Sequence, residues 1–352
     1  MNNGLEGITS NKTRTYKTGD VVILKSTDAR PVGWIKDGEI IPATGDLYRK
    51  LSIAGNPVQL WVTQISNFGT SIIYSVAFGN GVWVAGGAGG ALRTSTDAVT
   101  WVTQTSQFGA STINSVAYGN GLWVASGAGG TLRTSTDAVT WVTQTSQFGT
   151  SSIESVAYGN GLWVAVGAGG ALRTSLDGTA WVTQTSTFGT SGIYSIAYGN
   201  GLWVAGGFNF TIRTSTDAVT WVTRTSTFGT STINSVAYGN GTWVAGGESG
   251  KFMTSTDAVT WVEREYNSQP FTILAFAFGG GLWVGGGIKT STDAITWVTQ
   301  ASVSTYSVAY GGGLWVAAGS GGVLRTNDTH PTFIELDTGL TLSNYLTAYI
   351  KP

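Results

Sequence analysis

The 352-residue chain has no cysteine and a single histidine, His330. Disulfides and thiolate metal sites are thereby excluded, and so is a multi-histidine metal centre. Charge is scarce as well: Asp, Glu, Lys and Arg make up 11% of the residues, against about 25% in an ordinary soluble domain. The surface must then be built largely from Ser, Thr, Asn, Gln and Gly. The 18 basic and 19 acidic residues leave a net charge of −1. That is too little positive field to hold a phosphate backbone, so nucleic acid is not an expected partner. No apolar run approaches the roughly 20 residues of a membrane span, and membrane insertion is not expected. Met1 to Lys12 is polar and lacks the apolar core of a secretory signal. The expectation is a soluble product made in a cytoplasm, with no metal and no cofactor.

Glycine and tryptophan are abundant, at 52 and 15 residues, and both recur on a regular beat. The stretch Ser95-Thr96-Asp97-Ala98-Val99-Thr100-Trp101 has five further close copies downstream. Its tryptophan falls at Trp61, Trp101, Trp141, Trp181, Trp221 and Trp261, then at Trp297 after a shortened unit. A second tryptophan, in Gly-x-Trp-Val, recurs at Trp83, Trp123, Trp163, Trp203, Trp243, Trp283 and Trp315. A period of about 40 residues means a propeller, a solenoid or an array. Each unit also divides into four short runs rich in Val, Ile, Trp, Tyr and Thr, separated by turns such as Gly119-Asn120-Gly121, Gly127-Ala128-Gly129-Gly130 and Asp137-Ala138-Val139. Four strands with glycine turns in about 40 residues is the pattern of a propeller blade.

The two tryptophan series count seven blades. An outer strand, Val58 to Thr63, precedes the first innermost strand, while the last unit, Tyr306 to Thr326, has three strands and no good fourth. Giving the early strand to the late unit closes the ring with no missing strand and leaves only short outer edges exposed. The fold class is therefore all-β, a seven-bladed β-propeller closed by an N-terminal outer strand, with a small terminal module.

Residues 1–57 stand outside the repeat. Gly19 to Leu24 reads as a turn into a buried strand, Pro31 to Ile35 as a turn into a second, and Asp46 to Leu51 as a short helix. This segment resembles the phage tail-collar module in Gly19 to Leu24, Pro31, Gly33, Trp34, Ile35, Gly38, Tyr48 and Leu51, over about forty residues. It departs from that family where a Cys-Asp-Gly turn is common, carrying Lys36-Asp37-Gly38 instead. Phe333 to Leu336 and Tyr345 to Lys351 read as strands after the ring, and Ala348-Tyr349-Ile350-Lys351 resembles the last strand of many tail-collar and tail-fibre proteins. The expected domains are 1–57, a propeller over 58–333, and 334–352 returning to the first segment.

The repeated heptad resembles the Asp-box of sialidase-like propellers, in which the box is structural. Its carboxylate is expected to accept backbone N–H groups of its own turn while the tryptophan packs across the hairpin. The resemblance implies a glycine inside the turn, but only Gly178 is one; the other copies have alanine, and their turns are expected to avoid positive φ. Arg93, Arg133, Arg173, Arg213 and Arg325 lie in third strands, two strands out from the axis. They are expected to ring the protein, not to converge as a carboxylate clamp. Among the few carboxylates outside the boxes, Glu263 and Glu265 have the best spacing for the pair a retaining glycosidase needs, and a solvated strand face explains them as well. No catalytic residue is expected.

Strand alternation puts the connections between blades on one face with the turns between second and third strands, and the heptads on the other. The later blades depart from the earlier ones mainly on that first face. Ala88-Gly89-Gly90 becomes Phe208-Asn209-Phe210, then Glu248-Ser249-Gly250-Lys251, and one connection becomes Glu263 to Phe271 with Glu265, Tyr266 and Asn267. Aromatic rings among amides and charges suit a glycan or protein contact. A second candidate lies at the starts of the innermost strands, where Tyr74, Asn114, Glu154, Tyr194, Asn234, Leu274 and Tyr306 vary near the channel mouth. With the tail-collar resemblance, these features lead to the expectation of a virion protein, made in the host cytoplasm, of tail-fibre or tail-tip type. Its propeller would bind a host-surface glycan or protein, with other tail proteins and a possible second copy as partners. The alternatives are a glycan-cleaving propeller enzyme and a purely structural virion component.

Overall fold

The computed structural model describes residues 61–224, 231–265, 272–301 and 303–327, together with short strands nearer the N-terminus. Contacts divide the chain into two units, Gln59–Asn327 and a second that combines Met1–Val58 with Asp328–Pro352. In the second unit Val22–Lys25 pairs antiparallel with Pro31–Lys36, which pairs with Glu39–Pro42. Pro31 thus begins a strand. The short helix expected over Asp46 to Leu51 and the strands expected after Phe333 lie outside the described residues.

The first unit is a seven-bladed β-propeller. Its described residues form seven four-stranded antiparallel sheets. Blade 2 shows the plan: Ile113–Gly119 innermost, then Leu122–Gly127, Leu132–Ser135 and a short outermost Val142–Thr143. Blades 1, 3, 4, 5 and 6 begin their innermost strands at Ile73, Ile153, Ile193, Ile233 and Phe276, respectively. Blade 7 takes Thr305–Gly311, Leu314–Gly319 and Leu324–Asn327 from the end of the repeat and Trp61–Gln64 from its beginning, paired Asn327 to Trp61 through Leu324 to Gln64. The ring therefore closes as the tryptophan count requires.

Local chemistry explains the hairpins. Gly119 pairs with Leu122 across the two-residue loop Asn120-Gly121, both at positive φ (50° and 78°), the geometry that favours Asn-Gly in a tight hairpin. Burial is greatest at the second strands, where Trp83, Trp123, Trp163, Trp203 and Trp283 are each 1% exposed. Removing one such ring from water is worth on the order of 5 kcal/mol gross. Each tryptophan also meets the aromatic ring that ends its own innermost strand, as Tyr118 meets Trp123 at 4.9 Å between centroids. That same Tyr118 ring fills the place a Cβ of Gly79, in the preceding blade, would need, and the relation repeats around the ring until Phe78 covers Gly311.

A belt of serine hydroxyls joins the blades nearer the axis. The Ser75 Oγ accepts the Val116 N–H at 2.9 Å, Ser115 that of Val156, Ser155 that of Ile196, Ser195 that of Val236, Ser235 that of Phe276 and Ser307 that of Val76. Blade 6 carries Ala275 at this place and has no hydroxyl to offer.

The repeated heptad forms the turn expected of it, with one correction. Asp137 Oδ1 accepts the backbone N–H groups of Val139 and Thr140 at 2.8 and 2.7 Å and the Ser135 hydroxyl at 2.9 Å, while Trp141 Nε1 donates to the Ala138 carbonyl at 3.1 Å. Against expectation, the alanines take positive φ: 62° at Ala98, 64° at Ala138, and 59° or 60° at Ala218, Ala258 and Ala294. Such a conformation costs an alanine about 1–2 kcal/mol. Four hydrogen bonds orient the peptides on both sides of it, and the methyl group is fully buried, so the turn does not need glycine. At Gly178 the Leu122 side chain occupies the place of that methyl.

These turns make the fold acid-sensitive. The Thr140 and Val139 N–H groups lower the Asp137 carboxyl from 3.8 to about 2, and Asp217 and Asp257 are lowered to about 2 in the same way. A carboxyl lowered by folding stabilises the fold at pH above its unfolded value, and that contribution is lost as pH falls through the folded one. The thermal midpoint is therefore expected to hold level down to about pH 4 and to fall steeply toward about pH 2. The triple variant Asp137→Asn, Asp217→Asn, Asp257→Asn should start lower and flatten that fall; equal slopes for the two proteins would refute the assignment.

Candidate functional site

The face opposite the heptad turns is built from connections between blades and from one-turn 3-10 segments such as Ala88–Gly90 and Ala128–Gly130. The connections leading into blades 1 to 4 are each pinned on both sides. Ser106 Oγ donates to the Gly90 carbonyl of blade 1 at 2.6 Å, and Arg133 of blade 2 donates to the Gln107 carbonyl at 2.7 Å with its guanidinium 5.0 Å from the Phe108 ring centroid. Arg93, Arg173 and Arg213 sit in the same way over Phe68, Phe148 and Phe188. The arginines are staples spread around the ring. A phenylalanine in each of these four connections and an arginine 25 residues later is a sequence signal that could have shown this.

On this rigid frame the departures of single blades stand out. In blade 4 the 3-10 turn is Phe208–Phe210. Phe208 is 45% exposed, and Asn209 is exposed at φ 55°. Phe210, read from the sequence as a binding residue, is 2% exposed and belongs to the core with Ile212, Ile233, Trp243 and Met253. The reason is a matched change in the next blade, where Met253 replaces the stapling arginine and leaves apolar surface for the ring to cover. In blade 5, Glu248 is exposed and accepts the Thr232 N–H at 3.2 Å, while Lys251 forms an ion pair with Glu263 at 2.9 Å. Glu263 thus lies on the outermost strand, Val262–Glu265, with a lysine against it. The Glu265 backbone pairs with Lys251; its side chain, and Tyr266 and Asn267, lie outside the described residues.

The second candidate set forms a ring. In six blades the pairing of innermost and second strands slips by one residue at the same place, between Ile73 and Ser75, Ile113 and Ser115, Ile153 and Ser155, Ile193 and Ser195, Ile233 and Ser235, and Thr305 and Ser307. The residue left out of each ladder is Tyr74, Asn114, Glu154, Tyr194, Asn234 or Tyr306. A bulge re-aims the side chain it carries. Two pairs of neighbours in the ring touch: Tyr74 and Tyr306 stack edge to face at 5.4 Å, and Asn114 Nδ2 reaches Glu154 Oε2 at 3.2 Å. Asn234 Nδ2 donates to the Ile273 carbonyl of blade 6 at 3.3 Å.

The two candidate sets meet in blade 4. Tyr194, 37% exposed, lays its ring over Gly192, with its hydroxyl 3.2 Å from where a Cβ would stand, and the Gly192 carbonyl accepts the Phe208 N–H at 3.0 Å. Other blades carry Ile72, Thr112, Ser152 and Thr232 at that glycine. Among the described residues no cluster of three His, Asp or Glu side chains is placed to hold a metal ion.

The seven-bladed ring is a known architecture. The chain shares its propeller fold with YCF48. The structure of YCF48 from Cyanidioschyzon merolae is 16% identical, with a TM-score of 0.59 over 76% of this chain and 98% of that one. A structure titled YCF48 bound to D1 peptide is 15% identical, with a TM-score of 0.63 over 80% and 97%. The computationally designed protein Ika8 is 16% identical, with a TM-score of 0.53 over 74% and 97%. At these identities the likeness is one of fold. No family model and no curated sequence matches the chain.

Proposed function

We propose that this chain is a binding protein of a phage virion, of tail-fibre or tail-tip type, whose propeller takes a host-surface component on the face of the connections and 3-10 turns. The observation that carries the binding face is the convergence of Tyr194, Phe208 and Gly192 in one blade of an otherwise near-uniform ring. Two exposed aromatic rings on a stapled frame offer large contact area at small cost in conformational freedom. A YCF48 structure titled as holding a peptide supports binding as a use of this fold. The virion assignment rests on the resemblance of residues 19–51 to tail-collar modules. Retention on host cells tests the reading. The double variant Tyr194→Ala, Phe208→Ala should be retained about tenfold less than the unaltered protein, with an unchanged thermal midpoint. Equal retention would remove the face from consideration, and no retention of the unaltered protein would leave a purely structural role. Cells stripped of surface polysaccharide separate a glycan from a protein receptor.

A further inference from the structure

We propose that the bulge ring at the channel mouth seats a cationic side chain, a lysine or arginine on an extended segment of a protein partner, with Glu154 as its counter-charge. This rests on the reading of that face as the binding face and supplies its ligand chemistry.

Repeat copies act as controls for one another. In blades 1 to 5 the residue before the bulge is always isoleucine and the residue after it always serine, yet the residue between is Tyr74, Asn114, Glu154, Tyr194 and Asn234. The flanking residues have fixed tasks, the isoleucine in the core and the serine in the inter-blade belt. The residue between them is outside the ladder, and its chemistry changes with no consequence for the sheet. A position outside the ladder and gathered around one axis is suited to reading a ligand.

Glu154 gives the ring its sign. Its Oε2 takes the Asn114 amide at 3.2 Å, but that amide also reaches Ser152 Oγ at 3.0 Å and the Ile153 carbonyl at 3.1 Å. Two N–H groups cannot serve three acceptors well, and among the described residues no cation is paired with this carboxylate. Arg133 and Arg173 are held on the carbonyls of Gln107 and Gln147, two strands out. Lys251 is occupied by Glu263, and Glu248 adds a second negative charge on the same face. A carboxylate with spare hydrogen-bonding capacity, with tyrosines in the same ring, attracts a cation both through charge-assisted hydrogen bonds and through the aromatic faces. A neutral sugar gains little from such a charge, and an acidic glycan is repelled by it.

The test uses the full chain and three blocked Gly/Ser peptides that differ only in a central lysine, norleucine or glutamate. The lysine peptide should bind about tenfold more tightly than the norleucine one, lose that margin at high salt, and lose it in both Glu154→Gln and Glu154→Asn. Asparagine already occupies this place at Asn114 and Asn234, so the fold accepts it. Equal binding of lysine and norleucine peptides, no binding of either, or a lysine preference that survives both substitutions overturns the proposal. If cell retention still depends on Tyr194 and Phe208 in that event, the binding face stands and only its cationic ligand is wrong. A lysine preference without cell retention would instead remove the attachment role.

Discussion

Replacing Gly127 by alanine is expected to destabilise the propeller by about 3 kcal/mol or more. Gly127 ends the second strand of blade 2 and pairs with Ile113. A Cβ there would stand far inside contact distance of the Thr112 carbonyl oxygen and 2.9 Å from its carbon. That oxygen cannot retreat freely, because it accepts the Ala128 N–H at 3.0 Å and so holds the 3-10 turn against the innermost strand. The backbone at Gly127 is simply extended, at φ −176°, so the cost is steric. Gly129, two residues on, separates the two kinds of glycine: it sits at φ +64° with nothing within 4 Å of an added Cβ. Alanine there should cost only about 1 kcal/mol, the ordinary penalty of the left-handed region. Denaturant melts of the two variants decide the matter, and a Gly127→Ala protein no weaker than Gly129→Ala would show that the turn can open without loss.

The contrast also explains what could be read in advance. Blade number and the closing strand were legible because tryptophan burial recurs with the repeat: each unit needs one ring in its second strand and one in its outermost, and Trp61 stood ahead of any innermost strand it could serve. The alanines of the heptad turn were misread because a one-residue propensity argument sees only the strain at Ala138. It does not see the two N–H groups on Asp137 and the Trp141 indole on the Ala138 carbonyl, which together outweigh it. Phe210 was misread because a phenylalanine in a loop looks exposed until its partner is known, and Met253 lies in the next blade. Tyr194, Tyr74 and Tyr306 could be marked as candidates, since variation inside a near-identical repeat is visible without a structure. The staggered pairing that gathers them with Glu154 into a ring was not, because a bulge leaves no trace in residue spacing.

Removing residues 1–64 is expected to cost at least about 3 kcal/mol and to broaden the unfolding transition, because it takes the outermost strand from blade 7. Loss of a tryptophan from a packed site alone is worth about that much, and Trp61 packs against the cluster of Leu282, Ile288 and Trp315. The pairing of Leu324 to Asn327 with Gln64 to Trp61 goes with it, as does the 2.7 Å hydrogen bond from Gln64 Nε2 to Thr326 Oγ1. What remains of the closure between blades 7 and 1 is Phe78 over Gly311, the Val76 N–H on Ser307 Oγ and the Ser66 hydroxyl on the Gly322 carbonyl. That seam resembles the junctions from blade 1 through blade 6, and so cannot replace the covalent continuity the other six blades enjoy. A permuted chain separates loss of the strand from loss of closure. It begins at residue 65 and carries residues 61–64 after Asn327 through a copy of the Thr96 to Thr100 turn, so blade 7 becomes continuous. This chain should recover most of the lost stability, since the strand returns with the same neighbours and the same register. If it unfolds as readily as the truncated one, the early strand matters for something other than completing the seventh sheet.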